Sequence, residues 1–220
     1  MKRLLFPIVL SVMMGGLLIV SCGKEKPVYS EANEVATTKD GAKYVLDTLS
    51  SRIEWKGYKV FKSENTSHFG NIKFESGDVT IKDGTLESGK FVADMTSLSS
   101  EDLKDKADQL EKLNSHLKSA DFFEVDKFPT ASYEITKVSP TADGDYNTVL
   151  EGNLSIKGIS KPVQFKANVS VKGSEVSIAT EPKDIMREDF EVKFQSPTEN
   201  GVIKNDVTLQ IKVKALERKL

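Results

Sequence analysis

Few side chains in this sequence suit covalent or metal chemistry. There are two histidines, His68 and His116, and one cysteine, Cys22. A zinc site draws on several Cys, His or carboxylate ligands at short spacing, and a nucleophilic site needs a thiol or hydroxyl beside a base. No HExxH, CxxC, GxSxG or GxGxxG occurs. The run Gly84-Thr-Leu-Glu-Ser-Gly89-Lys90 carries the first seven positions of a phosphate-binding loop. Phe91 then stands where a magnesium-binding hydroxyl belongs, and the residues that follow alternate like a strand rather than opening a helix. A hairpin turn accounts for it. No catalytic residue, metal ligand or cofactor site is expected, and the chain reads as a non-enzyme.

Two clusters suit binding instead. Glu181, Asp184, Arg187, Glu188 and Asp189 precede Phe190. They read as a charged turn, or as a polar gate where Arg187 pairs with an anionic group. Phe122, Phe123 and Phe128 crowd together just after a helical segment, beside His116 and Leu117. Such rings plug a core or wall an apolar ligand cavity.

Composition bounds the rest. The chain has 220 residues, 38% hydrophobic and 29% charged, with a formal charge of −2. That is too apolar for disorder and too balanced for nucleic-acid binding driven by gross charge, so no nucleic-acid partner is expected. Lys2 and Arg3 precede an apolar run from Leu4 to Val20, the pattern of a secretory leader. The string Leu18-Ile19-Val20-Ser21-Cys22 looks like a bacterial lipobox, with the one cysteine of the chain at the modification site. Cleavage before Cys22 removes Lys2 and Arg3 and takes the charge from −2 to −4. Acyl chains on Cys22 would anchor the protein to a membrane. Residues 1–21 are therefore expected to be a lipoprotein signal peptide, 22–43 a flexible lipid-anchored linker and 44–220 one folded domain. The expected location is the cell envelope of a Gram-negative bacterium, periplasmic or surface-exposed.

The elements that must carry the clusters follow from periodicity. Val163, Phe165, Ala167, Val169 and Val171 alternate with polar residues, as do Val207, Leu209, Ile211, Val213 and Ala215. Leu150, Gly152, Leu154 and Ile156 do the same, and shorter runs occur at Ile53/Trp55, Ile72/Phe74, Phe91/Ala93/Met95 and Phe190/Val192/Phe194. Strict alternation means antiparallel strands with one dry face. Leu103, Ala107, Leu110, Leu113 and Leu117 instead recur at helical spacing, with Ser99 and Ser100 as cap candidates, giving one amphipathic helix against the sheet. Eight to ten such strands make a barrel or a sandwich, and alternation leaves these two even.

Four ordered blocks resemble the YceI-like family. They are Leu113-Asn-Ser-His116-Leu-Lys-Ser-Ala-Asp-Phe122-Phe123-Glu-Val125 with Phe128-Pro129, Leu150 to Val163, Ile185-Met-Arg187-Glu-Asp189-Phe190, and Val202 to Ala215. The opening Tyr44 to Asp47, with His68-Phe69-Gly70 and Phe74, also fits. The resemblance implies an all-β, lipocalin-like, antiparallel up-and-down barrel with one helix. It implies a polyisoprenoid or similar long amphipathic lipid as partner, with no cofactor. Candidate cavity or mouth residues are His116, Leu117, Phe122, Phe123, Phe128, Arg187, Phe190 and Trp55. Where the family usually has an aromatic-glycine pair, Phe190 is followed here by Glu191, so a different local backbone is expected. A non-binding interaction lipoprotein and an enzyme acting on a lipid are the alternatives. The oligomeric state stays open, a dimer included.

Overall fold

The alternating segments resolve into an all-β closed sheet in a computed structural model, which describes residues 32–36, 40–142, 144–196 and 201–218. The leader 1–21 and Cys22 lie outside the described residues. The strands are β1 (Ala42–Leu46), β2 (Arg52–Phe61), β3 (Glu64–Lys82), β4 (Thr85–Ser100), β5 (Thr130–Pro140), β6 (Thr148–Ile156), β7 (Ile159–Lys172), β8 (Glu175–Thr180), β9 (Lys183–Met186) and β10 (Gly201–Glu217). Helix α1 (Ala107–Lys118) joins β4 to β5, and a 3-10 turn spans Arg187–Phe190.

All pairings are antiparallel, and each of β2 to β7 pairs the next strand in sequence. The ring closes through β10, which pairs β8 and β9 on one side and β1 and β2 on the other. β1 and β2 share one place in the ring, because β1 takes the ends of β3 and β10 that β2 leaves free. β8 and β9 share another. The result is a barrel, not a sandwich, which removes the exposed edges an open sheet would carry.

Tight turns keep the strands in sequence. Lys62-Ser63, Asp83-Gly84 and Lys157-Gly158 each have positive φ at both positions, the backbone of two-residue turns whose twist matches a hairpin. Gly158 at φ 74° meets that demand without a Cβ.

The two halves of the interior differ. At the end formed by β1 and the turns after β3 and β7, inward side chains fill the barrel: Val79, Ile135, Phe165, Ala167 and Val176 have no measurable exposure. Each of the valine, isoleucine and phenylalanine side chains contributes about 1.5–3 kcal/mol of burial. At the other end a smaller cluster around Trp55, Ile72, Met95 and Leu98 lines walls rather than a solid centre.

Three local expectations are corrected. Helix α1 begins at Ala107, not near Ser99 and Ser100, which belong to β4. The Ser100 amide donates to Asn114 Oδ1 at 2.9 Å, and Asn114 Nδ2 donates to Ser99 Oγ at 3.1 Å, so these serines moor the helix instead of capping it. Phe190 to Phe194 is not a strand. It is the end of the 3-10 turn followed by irregular chain, because Glu191 adopts a left-handed conformation (φ 57°) that no strand tolerates. Finally, part of the segment read as tether is held on the barrel wall. The Asn33 amide donates to Asn153 Oδ1 at 3.0 Å, and Asn153 Nδ2 donates back to the Asn33 carbonyl at 2.7 Å. The Ala36 amide donates to the Ile135 carbonyl at 3.2 Å, beside a register shift that leaves it free of the ladder. Asn153 points out of the barrel, yet it is buried under this segment.

Candidate functional site

The hollow half of the barrel encloses a cavity of about 490 Å³, within the range that takes small molecules and lipid chains. Its walls are the inward residues of β2, β3, β4 and β10, including Ile53, Trp55, Ile72, Met95 and Leu209. Alternation puts them there, since each lies two residues from the next inward position. Helix α1 lies over the open end and contributes Leu113, His116 and Leu117. The helix has no fully buried residue; it lies against β4, as its amphipathic pattern implies, and turns part of its apolar side to the cavity.

Of the residues singled out in the sequence, Trp55, His116, Leu117, Phe122, Phe123, Arg187 and Phe190 line this cavity. Phe128 does not. Its ring packs where a Cβ on Gly158 would meet it at 3.3 Å, under the Lys127 ammonium at 5.0 Å, because the turn at Glu124 (φ 48°) carries it past the opening. His116 forms an aromatic corner with Phe122 and Phe194, its ring centroid 5.0 Å and 4.7 Å from theirs. Its Nε2 lies 3.0 Å from Asp121 Oδ2.

Arg187 has a different task from the one its charge suggests. Only 5% exposed, it donates through Nε to the Lys204 carbonyl at 3.0 Å, through Nη2 to the Ile203 carbonyl at 3.3 Å, and through Nη1 to the Val192 carbonyl. Burial lowers its pKa, opposed by Glu188, whose carboxylate is 3.7 Å away. With its fork committed to three carbonyls, Arg187 ties the chain after the 3-10 turn to the start of β10. It is a positioning residue, not a free anion receptor.

The unclaimed cations at the opening were not singled out in the sequence. Five basic residues line the cavity, and no carboxylate among the described residues does. Arg187 is committed as above, and His68 Nδ1 lies 2.8 Å from Asp102 Oδ2. Burial would raise the Asp102 pKa, but hydrogen bonds from the Phe69 amide, the Ser100 hydroxyl and His68 outweigh it and hold the carboxyl below its ordinary value. With His116 facing Asp121 as described above, that leaves Lys59 and Lys204, neither with an ion-pair partner among the described residues. Lys59 sits over the Phe61 ring at 5.6 Å and Lys204 over the Tyr58 ring at 5.9 Å. Lys59 could have been found by continuing the inward series Ile53, Trp55 and Gly57 by one step. Lys204 could not, because the register of β10 against β2 shifts between Ile203 and Val207.

The site is thus an apolar barrel interior whose opening carries Lys59 and Lys204 and, among the described residues, no carboxylate. The YceI-like domain matches residues 44–215. The chain belongs to the YceI-like family. Two UPF0312 proteins of Pseudomonas putida, from strains F1 and KT2440, are each 31% identical over 126 residues, 56% of this chain and 64% of theirs. The chain thus aligns with somewhat less than two thirds of these relatives' length. Among solved structures, Burkholderia cenocepacia BcnA has a TM-score of 0.58 at 19% identity, covering 77% of this chain and 98% of BcnA. A polyisoprenoid binding domain from Saccharophagus degradans, implicated in plant cell wall breakdown, has a TM-score of 0.54 at 12% identity, covering 81% of this chain and all of that one. At these identities the likeness is one of fold.

The YceI-like assignment bears on the departure at Glu191. Glu191 has a left-handed backbone, with its amide donating to the Glu188 carbonyl at 3.1 Å and the next amide to the Arg187 carbonyl at 3.2 Å. Glutamate here occupies a conformation for which glycine is better suited.

Proposed function

We propose that this YceI-like protein binds a polyisoprenoid or similar long-chain amphipathic lipid, with the chain in the barrel and the head at the opening beside Lys59 and Lys204. The observation that carries it is the cavity of about 490 Å³, apolar along most of its walls, with Lys59 and Lys204 at its border and no carboxylate among the described residues that line it. Burying the chain drives binding at about 25 cal/mol per Å², less the cost of ordering it. The Saccharophagus degradans neighbour, a polyisoprenoid binding domain of similar fold, supports the ligand class.

The proposed setting is the bacterial envelope, with the mature chain tethered through acylated Cys22. A tethered carrier meets membrane lipids at high effective concentration. Replacing Cys22→Ser is expected to move the protein from the membrane to the soluble fraction; unchanged sedimentation with membranes would refute the anchor. Lipid uptake has a built-in reporter, because Trp55 is the one tryptophan of the chain and lines the cavity. Its Nε1 is buried without a hydrogen-bond partner among the described residues, so Trp55→Phe removes no hydrogen bond and serves as a blank. Farnesyl phosphate is expected to shift the emission and saturate at one molecule per chain. Emission that never responds would count against the proposal.

A further inference from the structure

We infer that the cavity is a chain-length ruler: it encloses about fifteen to twenty carbons, and Phe74, Phe91 and Tyr133 set that limit as its floor. The inference rests on the lipid-binding proposal above and sharpens it to a size class of ligand.

The floor is visible strand by strand. Cavity lining ends at Phe74 on β3, Phe91 on β4 and Tyr133 on β5. Below them come Val79 and Ile135 of the solid half, both without exposure. The three rings are fixed. Phe74 and Phe91 pack with centroids 6.2 Å apart. The Tyr133 hydroxyl lies 3.0 Å from the Leu150 carbonyl and 3.1 Å from that of Val163, and its ring stands edge-on to Phe165 at 5.3 Å. The ring lies over Gly152 of the adjacent strand, where a Cβ would come within 2.4 Å of Tyr133 Cζ. Burial pushes the Tyr133 phenol above its ordinary pKa, so it stays a neutral donor to those carbonyls.

Size follows. The cavity is open at one end, so its depth sets how much chain it takes. From Lys59 at the opening to Ile53 near the floor β2 runs about 20 Å at ~3.3 Å per residue, or roughly 15 Å along the axis at the usual tilt. Three to four isoprene units fit, and the remainder of an eight-unit chain would lie outside.

The test titrates the full chain, by Trp55 emission, with geranyl, farnesyl, geranylgeranyl and octaprenyl monophosphates, which share one head group. Affinity is expected to rise about tenfold or more from geranyl to farnesyl or geranylgeranyl, then change less than about threefold to octaprenyl. Ala93 lines the cavity one inward position above Phe91 and is buried. Ala93→Phe is expected to raise the floor, costing farnesyl about tenfold while sparing geranyl. Phe91→Ala is expected to lower it, so that geranylgeranyl gains over farnesyl. If Phe91→Ala does not fold, the Ala93→Phe result decides alone. Wild-type affinity that climbs steadily to octaprenyl, or a plateau unmoved by both variants, would overturn the ruler while leaving lipid binding intact. Failure of every prenyl phosphate to bind would remove both.

Discussion

Arg187→Met is expected to destabilise the barrel by about 3–5 kcal/mol, although methionine replaces much of the apolar volume. The loss comes from the Val192, Ile203 and Lys204 carbonyls, which would lose their donors in a site where the guanidinium is 5% exposed. Each unpaired buried acceptor costs about 1–3 kcal/mol, reduced where water or backbone relaxation reaches it. For a domain of this size the shift in Tm is roughly 8–15 °C by calorimetry. Arg187→Lys keeps a charge but not the fork, and should recover only part of the loss. A Tm within about 3 °C of wild type for Arg187→Met would show that the three hydrogen bonds carry little weight. The same variant should weaken lipid binding indirectly, since Arg187 Nε holds the backbone of Lys204.

The second large effect concerns the opening. Lys59→Glu with Lys204→Glu reverses both cations that lack an ion-pair partner among the described residues, at positions lining the cavity. Each charge-assisted contact to an anionic head contributes about 1.5–3 kcal/mol, so the double variant should bind farnesyl phosphate about 100-fold more weakly. Farnesol, with the same chain and no charge, should change by less than about threefold. Added salt should weaken the wild-type phosphate complex and narrow the gap, because these lysines are partly solvated. Equal losses for phosphate and alcohol would mean that the substitutions disturbed the barrel rather than a head-group contact. The Trp55 titration separates these outcomes.

The fold was legible because a barrel repeats one instruction. Val163 to Val171 and Val207 to Ala215 place every second side chain inside, and the pairing of β7 and of β10 with β8 between them honours that period. Alternation alone did not choose a barrel over a sandwich, because both bury one face of each strand. That choice depends on whether β10 can reach β2 and β8 together, a long-range fact. The β2–β3 turn is hidden in the sequence because Lys62 and Ser63 take positive φ without a glycine to mark them.

The site was legible where it depends on residue type and obscure where it depends on what else is nearby. Phe122, Phe123, Phe190 and Trp55 are apolar and end at the cavity, as apolar residues beside an opening do. Phe128 is equally apolar, but the turn at Glu124 directs it to Gly158. Arg187 is open to both a turn and an anion-binding reading because only its charge is visible in the sequence, whereas the three carbonyls that occupy it come from the 3-10 turn's exit and from β10. Lys59 and Lys204 are ordinary lysines in sequence. Their significance comes from facing a cavity that contains no carboxylate among the described residues.

The central claim is that the hollow half of the barrel holds a lipid chain. Native mass spectrometry of the purified protein tests it most directly. The expected spectrum shows one amphiphile per chain, which organic extraction removes and added farnesyl phosphate replaces one for one. A bare chain before extraction, still bare after farnesyl phosphate is added, would contradict the claim.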